Sequence, residues 1–81
     1  MSARILVVDD EKNLTLVLQG MLVRAGFEVL AFNDPEKALE PLESEPLDAV
    51  LTDLAMPGVD GFAILDFCRS FRPEVPVILV T

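Results

Sequence analysis

Eighty-one residues hold one domain at most, in the size range where a single core is only marginally sufficient, and a hydrophobic content of 52% marks a chain that buries much of itself. Fourteen acidic against six basic residues give a net charge of −8, which repels phosphate backbones and anionic lipid, so direct nucleic-acid binding is not expected. No signal peptide opens the chain and no apolar run approaches the ~20 residues of a membrane span; the single cysteine, Cys68, forms no internal disulfide, so a reducing cytoplasm is the expected location.

The first apolar run, ILVV over residues 5–8, reads as a strand. A helix is expected over residues 11–25, where Leu14, Val17, Leu18, Met21, Leu22 and Ala25 form one apolar stripe of helical period. Gly26 stands where a left-handed C-terminal cap belongs, and FEVLAF over residues 27–32 reads as the second strand. A second apolar line, Leu16, Gly20, Val23 and Phe27, lies opposite the main stripe.

Asn33-Asp34-Pro35 starts a helix, with a capping carboxylate before a proline at the first helical position. This helix, over residues 35–44, turns Ala38, Leu39 and Leu42 inward, and Pro41 is expected to kink it or end it early. Glu45-Pro46 closes it, and LDAVLT over residues 47–52 is the third strand, finishing at Asp53. A loop over residues 54–59 leads to Asp60-Gly61, the expected start of a third helix that ends near residue 71 with Ile64, Leu65, Cys68 and Phe71 inward; Cys68 reads as a small core residue.

RPEVP breaks that helix, and residues 77–81 form a fourth strand. An apolar run such as Val77 to Val80 normally lies covered on both faces in a parallel sheet. Strands and helices that alternate with short connections imply right-handed crossovers and a parallel sheet.

Ligands of open α/β sheets bind at the carboxyl ends of the strands, near the point where strand order reverses. Three strand ends here carry polar groups: Asp9-Asp10, Asp53 and Thr81. Taken singly, an acidic pair after a strand also caps helices, an aspartate also starts turns, and threonine suits strand ends. Together at one sheet edge they are harder to assign to capping. Two ionised carboxylates ~4 Å apart repel by ~4 kcal/mol at an effective dielectric of about 20, so the cluster calls for a cation or a proton. With oxygen ligands and no histidine, a hard ion such as Mg²⁺ fits best.

The segments ILVVDDEKN, VLTDLAMPGVDG and PVILVT resemble, in order and spacing, the motifs of the receiver domain of bacterial two-component response regulators. The resemblance implies a flavodoxin-like (receiver) parallel α/β sheet, incomplete here at four strands and three helices, within a single truncated domain over residues 1–81. It also implies a signalling phosphoacceptor rather than an enzyme, served by a sensor histidine kinase. Asp53 would be the phosphoacceptor and Thr81 the switch hydroxyl. Asp10, Asp53 and the backbone carbonyl of Ala55 would hold Mg²⁺ directly, with Asp9 acting through a coordinated water.

The family lysine that follows a fifth strand has no counterpart among these residues, so ordinary switching is expected to be impaired. By the same resemblance a further helix lies beside the first, and the line Leu16, Gly20, Val23 and Phe27 would be a docking surface. Burying each of Val77, Ile78, Leu79 and Val80 contributes ~1.5–3 kcal/mol, so a strand without its cover is expected to pair with a second copy, giving a homodimer or higher oligomer through the fourth strand. The alternative is a non-enzymatic dimerisation or kinase-sequestering module derived from a receiver.

Overall fold

The computed structural model describes residues 2–53 and 61–80. Four strands and three helices alternate along them: β1 (Arg4–Val8), α1 (Lys12–Arg24), β2 (Glu28–Phe32), α2 (Pro35–Ser44), β3 (Ala49–Asp53), α3 (Gly61–Phe71) and β4 (Val77–Val80). All pairings are parallel and the strand order is β2-β1-β3-β4. From β1 the chain steps outward to β2, then reverses across β1 to β3 and continues to β4. Right-handed crossovers therefore place α1 on one face of the sheet and α2 with α3 on the other. Among the described residues, no helix is long and apolar enough to cross a membrane.

Side chains alternate along each strand. Leu6, Val8 and Val50 enter the main core with Ala38 and Leu42 of α2 and Ile64 and Cys68 of α3, all essentially buried. The intervening residues Ile5 and Val7 are buried on the face of α1. The register pairs Leu6 with Val50 and Val8 with Thr52, which puts matching faces of β1 and β3 side by side.

Local chemistry sets the helix ends. In α1 the Glu11 side chain accepts from the Asn13 N–H at 3.2 Å. The other end is a Schellman turn, in which Phe27 N–H donates to the Leu22 carbonyl, Gly26 N–H donates to the Val23 carbonyl, and Gly26 takes φ 97°. In α2 the Asp34 carboxylate accepts from Glu36 N–H at 3.0 Å and Pro35 occupies the first turn. The expected start of α3 at Asp60 lies outside the described residues.

Three expectations are corrected. Pro41 does not end α2, which runs on to Ser44; the helix continues past the N–H bond that proline lacks, with Pro41 buried where the helix meets the core. Phe71 is 66% exposed because Phe67 takes the inward place beside Ile64 and Cys68, with the Phe71 ring against it at a centroid separation of 4.7 Å and tilted by 38°. The broad apolar stripe of α1 is not buried as a whole: the one buried residue of the helix is Thr15, which lies outside the stripe, Leu18 and Leu22 are half-buried, and Val17 and Met21 are 56% and 63% exposed. Among the described residues α1 packs on β1 and β2 alone, which covers a narrower arc than the stripe. As expected of a strand without its cover, β4 is not covered on both faces among the described residues. It lies at the sheet edge, α3 reaches only one of its faces, and Ile78 remains 51% exposed.

Candidate functional site

Strand order reverses between β1 and β3, and the carboxylates gather at the carboxyl ends of those two strands. Asp9 follows Val8, Asp53 ends β3, and both continue the register that pairs Val8 with Thr52. Asp10 sits in the bend before α1. One oxygen from each of Asp9, Asp10 and Asp53 lies within 4.8 Å of the others. Asp9 is buried, Asp10 exposed and Asp53 half-buried.

The capping alternative is decided by the hydrogen bonds. Glu11 caps α1. Asp9 instead closes a local turn, its Oδ1 accepting from the Glu11 N–H at 2.9 Å. Asp10 makes no side-chain hydrogen bond among the described residues, so capping does not account for the pair. Burial pushes the Asp9 carboxyl above its ordinary range; the Glu11 N–H opposes this, and the charges of Asp53, Asp10 and Glu11 add to the rise. The centre is thus short of positive charge. Three carboxylates with no sulfur or imidazole donor match the oxygen preference of a hard divalent ion, so the residues fit Mg²⁺.

Behind the carboxylates lies a hydrogen-bonded group that composition and periodicity do not reveal. Asp9 N–H donates to the Phe32 carbonyl at 3.1 Å, extending the β1-β2 ladder by one residue. The Asp9 carbonyl accepts from Asn33 Nδ2 at 3.0 Å and from the Thr15 hydroxyl at 3.1 Å. Asn33 reads from sequence as part of a helix start, and Thr15 belongs to neither apolar line of α1. A buried hydroxyl one turn into α1 is the signal that could have pointed to them. Thr81 and Ala55, the expected switch hydroxyl and carbonyl ligand, lie outside the described residues.

A family model for the response regulator receiver domain matches residues 5–81. The alkaline phosphatase synthesis transcriptional regulatory protein PhoP of Bacillus subtilis is 35% identical over 81 residues, which cover 100% of this chain and 34% of PhoP. The chain thus spans about a third of that relative's length. Among solved structures, a CheY-like receiver domain protein from Methanospirillum hungatei superposes with a TM-score of 0.95 at 28% identity, over 100% of this chain and 65% of that one. Response regulator TrrA from Thermotoga maritima, solved in complex with Mg²⁺–BeF, gives 0.89 at 35% identity, over 95% of this chain and 67% of its own. With the sheet order, the carboxylates at its switch point and the family match all in agreement, the chain belongs to the response regulator receiver domains, the phosphoacceptor signalling domains of two-component systems.

Proposed function

We propose that Asp53 is the phosphoacceptor, taking its phosphoryl group from a phosphohistidine of a sensor histidine kinase. The convergence of Asp9, Asp10 and Asp53 at the sheet switch point is the observation that carries this reading. A carboxylate oxygen of Asp53 attacks phosphorus, the phosphorus–nitrogen bond breaks, and the leaving imidazole keeps the electron pair and takes up a proton. Asp9, Asp10 and Asp53 would hold Mg²⁺, with the Ala55 carbonyl as a further ligand and Thr81 as the switch hydroxyl by family resemblance. Bound Mg²⁺ would offset the charge of the transferred oxygens. Asp9 is fixed by its turn with Glu11 and Asp53 by the end of β3, so the two carboxylates meet without a large loop movement. The Mg²⁺–BeF complex of TrrA supports the choice of ion.

Incubation with acetyl phosphate and Mg²⁺, followed by intact-mass measurement, tests the assignment. A single phosphoryl adduct that disappears in Asp53→Ala is the expected outcome. An adduct retained in that variant, or none on the folded parent, overturns it.

A homodimer through β4 is the accompanying proposal. It draws support from the place of β4 at the sheet edge and from the exposure there of Ile78 and Leu79.

A further inference from the structure

Asp10 is an exposed residue in a bend, and its carboxylate makes no hydrogen bond among the described residues that would hold it toward Asp9 and Asp53. What fixes its starting point is the peptide before it. The Asp9–Asp10 peptide is planar, so the direction of the Asp9 carbonyl sets the direction of the Asp10 N–H and the place of its Cα. That carbonyl accepts two hydrogen bonds, from Asn33 Nδ2 at 3.0 Å and from Thr15 Oγ1 at 3.1 Å. Asn33 Nδ2 also lies 2.9 Å from Thr15 Oγ1, and the single Thr15 hydroxyl hydrogen is shared between the carbonyls of Asp9 and Glu11, both at 3.1 Å. Asn33 stands between β2 and α2, and Thr15 is the one buried residue of α1. Side chains from two other segments of the chain thus converge on one backbone carbonyl.

We infer that Asn33 and Thr15 are positioning residues for the cation site, acting through the Asp9 carbonyl to aim the Asp9-Asp10 pair. The inference rests on the proposed Mg²⁺ site and adds residues that touch neither the ion nor the phosphoryl group. Hydrogen-bonding partners that orient ligands govern metal affinity even without contacting the metal. A free Asp9–Asp10 peptide would rotate, and the exposed Asp10 carboxylate would sample directions away from the cluster. Asn33 also sits immediately before the Asp34 cap of α2, so the same side chain ties the start of that helix to the site.

Isothermal titration of the ion-free protein with MgCl₂ tests this, with thermal unfolding in EDTA as a parallel measure of fold. Asn33→Ala and Thr15→Val are expected to weaken Mg²⁺ binding about tenfold, while Thr15→Ser, which keeps the hydroxyl, stays within about twofold of the parent. A merely structural role predicts lower unfolding temperatures with unchanged Mg²⁺ affinity in the folded variants, and that result overturns the inference. If Thr15→Val does not fold, Asn33→Ala and Asn33→Ser decide on the same measure, since Asn33 is half-buried and outside any helix or strand. A parent that binds no Mg²⁺ overturns the site itself. A parent that binds with variants that match it overturns the positioning role alone.

Discussion

Asp9 bears most of the electrostatic cost of the site, because it is 2% exposed while Asp10 and Asp53 keep contact with water. Its carboxyl is raised by burial first and by neighbouring charges after that, so the folded chain holds the Asp9 proton more tightly than the unfolded chain does. Above the raised value the ionised group lowers stability; as pH falls through that value, protonation removes the penalty. In EDTA, Asp9→Asn is therefore expected to unfold at a higher temperature than the parent near neutral pH, since asparagine Oδ1 still accepts from Glu11 N–H without the charge. The gap should close on acidification through the raised value, and differential scanning calorimetry across pH would reveal it. A gap that stays constant with pH would remove the electrostatic explanation. Adding Mg²⁺ is expected to reverse the order, because the parent gains binding energy that the variant lacks. The convergence of the three aspartates was legible from sequence because they coincide at one sheet edge, which capping and turns taken singly do not explain. The bond between Thr15 and Asn33 was not, since it spans 18 residues and exists only once β2 docks beside β1.

At the scale of elements, all seven segments were legible from periodicity and punctuation, and the two devices that end the helices differ in how visible they are. Gly26 follows the last turn of α1 and takes φ 97°, with nothing within 4 Å of where a Cβ would stand. The cost of a side chain there is therefore conformational, and Gly26→Ala is expected to destabilise the chain by about 1–2 kcal/mol, with Gly26→Asn losing less. Urea unfolding would show a lower midpoint at an unchanged slope. The end of α2 is held from a distance. Arg72, just past α3, donates from Nη1 to the Leu42 carbonyl at 3.1 Å and to the Glu45 carbonyl, with its side chain 17% exposed. A guanidinium there satisfies terminal carbonyls and complements the negative end of the helix. Arg72→Ala is expected to cost about 1.5–3 kcal/mol, and Arg72→Lys to recover only part of it, because one ammonium does not reproduce the planar fork. The exposed pair with Glu74 at 3.4 Å adds little, so Glu74→Ala serves as the control that leaves the unfolding midpoint in place. Sequence read Arg72 only as part of a helix break, because its partners lie 27 and 30 residues earlier.

Across the whole molecule, alternation and handedness point to a parallel sheet covered by helices, the strand order enters only with the receiver resemblance, and burial follows from neither. Hydrophobic periodicity tells which residues favour a covered face and is silent on how much cover the neighbouring elements supply. On α1, Leu16, Val17, Met21 and Val23 are more than half exposed, and on β4 so is Ile78, with Leu79 at 36%. Each exposed side chain forgoes part of the ~1.5–3 kcal/mol that full burial contributes. An edge strand with such residues offers both backbone partners and apolar surface to a second copy. Opposing this, two chains of net charge −8 repel each other. The repulsion acts over distance and is screened with a Debye length of about 10 Å at 0.1 M salt, whereas apolar contact is not weakened by salt. The proposed β4 dimer should therefore strengthen as sodium chloride is added, the reverse of an association held by ion pairs. Sedimentation velocity at micromolar protein is expected to show a dimer whose fraction rises with salt and falls sharply in Ile78→Lys. A folded monomer at every salt concentration would sink the dimer, and an Ile78→Lys protein that dimerises like the parent would move the contact away from β4.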